Sequence, residues 1–113
     1  MEAVSRTLSA YAAGERPERA VEKAAVKHLL GLLTQKAPGK SVEVRIPPYA
    51  AVQCVEGVHH TRGTPPNVVE TDARTFVELA TGRLAWSDTV ADGRIRATGN
   101  RSDLRDLLPL ITP

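Results

Sequence analysis

The sequence predicts an α/β domain of the α+β kind: a small, mainly antiparallel sheet of about four to five strands, covered by helices on one face. Three observations predict it. Ser41–Ile46 alternates apolar with polar residues, with Val42, Val44 and Ile46 on one side and Glu43 and Arg45 on the other, which is the period of a half-buried strand. Glu18–Lys36 repeats apolar residues at helical spacing over a wide face. Asn67–Leu110 then reads as strand, helix, short helix, strand, helix, with a turn residue at each junction. With 113 residues there is room for one modest core, so residues 1–113 are read as a single domain.

In chain order, Glu2–Ala13 has a weaker helical pattern through Val4, Leu8 and Tyr11 or Ala12, and residues 1–16 are read as a candidate flexible N-terminal helix. Pro17 stands where a first-turn proline belongs, and Glu18 and Glu22 complement the positive end of the next helix. Val21, Ala25, Val26, Leu29, Leu30, Leu32 and Leu33 cover about half of that helix's circumference. Such a face suits a helix packed on a sheet and touched by a second element, or one that lids a cavity. Pro38-Gly39 ends it. After the strand Ser41–Ile46, Pro47-Pro48 stops the ladder, and Ala50–Val55 reads as the antiparallel partner with Val52 and Cys54 inward.

Glu56–Asn67 is a polar loop with two glycines and two prolines. Val68–Thr71 is the third strand. Thr71 or Asp72 caps a helix whose apolar face is Phe76, Leu79 and Ala80 and which Gly82 stops. Leu84 and Trp86 lead into a short helix that carries Val90 and ends at Gly93. Arg94–Thr98 alternates as a fourth strand. Gly99 and Asn100 turn the chain, and Asn100 or Ser102 caps a last helix built on Leu104, Leu107 and Leu108 and ended by Pro109.

Charge and composition exclude several functions. The formal net charge is +2, and basic residues are interleaved with acids, so a nucleic-acid partner gets no support. One cysteine, Cys54, allows neither an intrachain disulfide nor a cysteine-based metal site, and agrees with a cytoplasmic location. No signal peptide is expected, and no apolar run approaches the roughly 20 residues that span a bilayer.

The side chains with chemical potential are few. His59 and His60 are adjacent, so in an extended segment they point to opposite sides and make a poor shared metal site; surface histidines on a solvated loop are the ordinary reading. Arg62, with Gly63, Thr64 and the neighbouring His60, has the donors to anchor an anion such as a fatty-acid carboxylate; the ordinary alternative is that Arg62 pairs with Glu56 or Glu70. Glu70 and Asp72 lie two apart, but Asp72 is more simply a cap. Cys54 reads as a core thiol. Phosphate-loop, dinucleotide and zinc-finger patterns are absent, so no enzyme, metal or cofactor is predicted.

The order of signals after Asp72 resembles the C-terminal half of the sterol carrier protein 2 family. The matching positions are Asp72, Phe76, Leu79, Gly82, Leu84, Val90, Gly93, Ile95, Gly99, Leu104 and Leu107. With Ser41–Asp72 added, the chain resembles the small, stand-alone, actinobacterial-type proteins of that kind. The resemblance implies a non-catalytic binding or carrier domain for a lipid, fatty acyl or other amphipathic small molecule held between sheet and helices. Its hydrophobic lining would be Val44, Ile46, Val52, Phe76, Leu79, Trp86, Val90, Ile95, Leu104 and Leu107, with Arg62, His60 and Thr64 as polar anchor. The same fold resembles the accessory domain of mycothiol-dependent maleylpyruvate isomerases, which implies an alternative role assisting a thiol-dependent enzyme in trans. A third reading is a structural module with a closed core that forms a homodimer through the wide face of Glu18–Lys36.

Overall fold

The computed structural model describes residues 1–57 and 67–111. Its elements are α1 (Glu2–Ala12), α2 (Arg19–Lys36), β1 (Val42–Ile46), β2 (Ala50–Cys54), β3 (Asn67–Thr71), α3 (Ala73–Ala80), α4 (Trp86–Ala91), β4 (Ile95–Thr98) and a 3₁₀ turn at Arg105–Leu107. The strand order is β2-β1-β3-β4. β1 pairs antiparallel with β2 and β3 with β4, while the central pair β1–β3 is parallel. The sheet is therefore mixed, with two of its three pairings antiparallel.

Register follows from the alternation. Val44 lies opposite Val52 on one side and Val69 on the other, which keeps the apolar residues of all three strands on one face. Val42, Val44, Ile46, Cys54, Val69 and Ile95 are buried there, and Val52 is half-buried. Glu43, Arg45 and Glu70 stand on the other face, where Arg45 pairs with Glu43 and lies 4.0 Å from Glu70.

The wide apolar face of α2 is explained by its neighbours. Helix α2 contacts α1, α3 and β2, and Ala25, Val26, Leu29, Leu30 and Leu33 are fully buried. Val4, Leu8 and Tyr11 of α1 join the same core. Among the described residues the exposed large hydrophobics are Met1 and Val90; most of the apolar face of α2 packs within the chain, with Val21 and Leu32 half-buried at its margin, so the homodimer expected on that face gains no support.

Three sequence expectations are corrected. Val90 is 43 % exposed, because the six-residue α4 turns Trp86 and Thr89 inward and leaves Val90 a step around the helix. The last helix is one 3₁₀ turn. Pro109 forces the residue before it out of the helical region, and Leu108 accordingly has φ −110° and ψ 147°. Too few residues remain before it to nucleate a helix. Ser102, expected as a cap, instead donates its hydroxyl to the Gly99 carbonyl at 2.8 Å and closes a turn.

Cys54 is fully buried, and burial pushes its thiol up to about 11. The native protein should therefore react with Ellman's reagent at pH 8 at least about a hundredfold more slowly than the unfolded chain, since two pK units separate their thiolate fractions. Between about pH 9 and 11 the unfolded thiol loses its proton first, so this contribution to stability declines as pH rises. Equal labelling rates in native buffer and in guanidinium would contradict this placement.

Candidate functional site

Helix α3 is fixed at its start by a polar network. Asp72 caps it, accepting from the Thr75 backbone N–H at 3.1 Å and from the Thr75 hydroxyl at 2.6 Å. Arg94, just before β4, donates to the same hydroxyl oxygen at 2.9 and 3.1 Å and lies 3.8 Å from Glu78, one turn further along α3. Burial alone would raise the Asp72 carboxyl. The bonds from Thr75 and the charge of Arg94 outweigh it and hold the group below the usual carboxylate range.

The other end of α3 shapes a cleft. Thr81 donates its hydroxyl to the Val77 carbonyl at 2.8 Å, and Gly82 takes φ +80°, the left-handed conformation that reverses a chain after a helix. The C-terminal segment is tied to this point, because the Ala80 carbonyl accepts from Leu110 N–H at 2.8 Å and Ile111 N–H at 3.1 Å. Lys36, the last residue of α2, holds the Leu107 carbonyl at 2.8 Å. Between these ties lies a cleft of about 420 Å³. Leu79, Leu84 and Trp86 form one wall, Leu108 and Pro109 the other, and Thr81, Ser87 and Arg105 supply polar groups. Arg105 pairs with Asp103 at 2.9 Å, but both side chains are more than half exposed, so the pair is worth about 0–1 kcal/mol and a ligand anion can replace it.

Of the expected lining residues, two reach this cleft and most belong to the core cluster. Leu79 and Trp86 reach the cleft. Val44, Ile46, Phe76, Ile95 and Leu104 are buried in the core cluster, with Val52 and Leu107 half-buried against it. Val90 faces outward. The anchor residues Arg62, His60 and Thr64 lie outside the described residues. Sequence reasoning missed Arg105, Ser87 and Pro109 as cleft residues; the one available signal near them is the leucines Leu104, Leu107 and Leu108 before Pro109, which read as a last helix that the proline ends. Among the described residues no three His, Cys, Asp or Glu side chains converge as metal ligands, and no helix is long and apolar enough to cross a membrane.

A family model described as "Bacterial SCP ortholog" matches residues 18–110, which contain the sheet, α2 to α4 and every residue that lines the cleft. No curated protein matches the chain.

Proposed function

Because the chain belongs to this family of bacterial sterol carrier protein orthologs, we propose that it is a non-catalytic binding or carrier domain for a hydrophobic or amphipathic small molecule of lipid or fatty acyl type. The ligand sits at the cleft between α3, α4 and the C-terminal segment, at the edge of the core. The observation that carries this reading is the lining: a leucine, tryptophan and proline wall with one exchangeable guanidinium at Arg105. The volume of about 420 Å³ falls within the roughly 300–1,000 Å³ of small-molecule sites. Apolar burial supplies most of the affinity. Five methylenes contribute about 4 kcal/mol, which alone corresponds to a Kd near 1 mM. A charge-assisted bond from Arg105 to a carboxylate adds about 1.5–3 kcal/mol, which brings the Kd of a fatty acid to roughly 10–100 μM.

Trp86 is the only tryptophan and lines the cleft, so it reports on occupancy. A fluorescent polyene fatty acid should accept energy from Trp86 in a saturable way. Leu108→Arg should abolish the transfer. Arg105→Gln should weaken the acid about tenfold and leave its methyl ester unchanged. No saturable transfer in the wild-type protein, together with no bound lipid on native mass spectrometry, would refute the proposal.

A further inference from the structure

A second cleft, of about 450 Å³, opens where the α1–α2 junction meets the β1–β2 turn. It lies toward the N-terminal end of α2, at the other end of that 18-residue helix, roughly 25 Å long, from Lys36, which ties down the segment beside the first cleft. Glu22 is one of its lining residues. Tyr11 donates its hydroxyl to one Glu22 oxygen, and Tyr49 donates to the other at 2.8 Å. Burial, and then the bond to Glu22, raise both tyrosine pKa values, so both stay neutral donors through the physiological range. The carboxylate is thus committed to two hydroxyls, and no arginine lies within 4 Å of it among the described residues.

Three guanidiniums surround this arrangement. Arg74 lies 4.9 Å from the Tyr11 ring centre and Arg19 lies 5.7 Å from that of Tyr49, while Arg16 borders the same cleft; with Glu15 also on its rim, three guanidiniums face two carboxylates there. Stacking engages the face of a guanidinium and leaves its N–H edge for an acceptor in the plane. Arg74 uses part of that edge on Glu78. Arg16 and Arg19 have no ion-pair partner among the described residues. Tyr49 is shared with a shallow apolar surface that also includes Pro47, Pro48, Ala50 and Ala51.

We propose that this cleft binds a small organic oxyanion, a phosphate or carboxylate carried on a flat apolar body, with Arg16 and Arg19 holding the oxyanion and the body lying against Tyr49. Two cations with free donor edges select the anion, since a bidentate guanidinium matches either group. The adjoining proline, alanine and tyrosine surface selects an organic ion over a bare one. The lipid cleft takes no part.

The test is calorimetric titration at low ionic strength with phenyl phosphate, inorganic phosphate and phenol. Phenyl phosphate should bind saturably, more tightly than either fragment. The exposed double variant Arg16→Gln/Arg19→Gln should weaken it by about ten- to a hundredfold with an unchanged unfolding midpoint, and Arg105→Gln should leave it alone. The proposal is overturned if phenyl phosphate fails to saturate, or if the double variant binds as well as the wild type. It is equally overturned if the loss follows Arg105→Gln, which would place the anion in the lipid cleft and leave that first reading standing. Inorganic phosphate binding as tightly as phenyl phosphate would overturn the assignment of an organic ligand.

Discussion

Replacing Gly39 with alanine is expected to destabilise the protein by about 3 kcal/mol or more. Gly39 lies in the connection from α2 to β1 with φ +147°, a region that residues with a Cβ rarely adopt. A Cβ there would overlap the Val55 carbonyl group and the Glu56 nitrogen, and both are backbone that no rotamer change can move. That backbone is itself held tightly. Val55 is a β-branched residue at φ +64°, a strained conformation costing about 1–3 kcal/mol. Three hydrogen bonds maintain it. The Val55 N–H donates to the Ala37 carbonyl at 2.7 Å, and the Val55 carbonyl accepts from the Ser41 N–H at 3.0 Å and from the Ser41 hydroxyl at 2.6 Å. An inserted methyl must break this cluster, which joins the end of α2 to the ends of β1 and β2. Gly31, inside α2, is the matched control: a Cβ there meets nothing within 4 Å. Gly31→Ala should stabilise the protein by about 0.5–1 kcal/mol through helix propensity. Urea unfolding of both variants checks this pair, and a Gly39→Ala midpoint within error of the wild type would contradict the packing described.

Asp72→Ala is expected to cost about 2 kcal/mol at pH 7. About 1 kcal/mol is the lost N-cap of α3. The remainder comes from Thr75, whose buried hydroxyl then donates to nothing while still accepting from Arg94. The figure is kept low because Asp72 itself is exposed and water screens its charge. The pH dependence separates these contributions. The Asp72 carboxyl is depressed in the folded state, so below about pH 4 the unfolded chain binds the proton first. The stabilisation is complete above that point and is lost as pH falls through the folded value. Wild-type and Asp72→Ala midpoints should therefore draw together as pH falls below about 4. Asp72→Asn keeps an acceptor for the cap and should recover about half of the loss. A gap that stays constant with pH would show that the carboxylate charge has no part in it.

Much of the fold was legible in the residues themselves. Strand limits agree to within a residue because alternation is a local signal: Val42, Val44 and Ile46 had to share a face whatever they packed against. Asp72 as cap and Gly82 and Gly93 at positive φ were local as well, since capping and left-handed turns depend on residues a few positions apart. The burial of Cys54 and the breadth of the α2 face followed from the same periodicities. Membership of the sterol carrier protein-like family was also readable, from the order of these signals along the chain.

Tertiary structure alone decided the rest. Nothing in the sequence of β1 and β3 says that they are parallel neighbours at the sheet centre, because pairing depends on which strand covers which apolar face. The C-terminal segment carried leucines at helical spacing, yet its free N–H groups went to the Ala80 carbonyl, and Pro109 left no turn to propagate. That tie shapes the cleft beside α3 and α4, so its walls were hidden from any local pattern. The Tyr11, Glu22, Tyr49 and Arg74 cluster draws on α1, α2, the β1–β2 turn and α3. Periodicity records which side of an element is buried. Only the packing of distant elements records which polar residues are brought face to face.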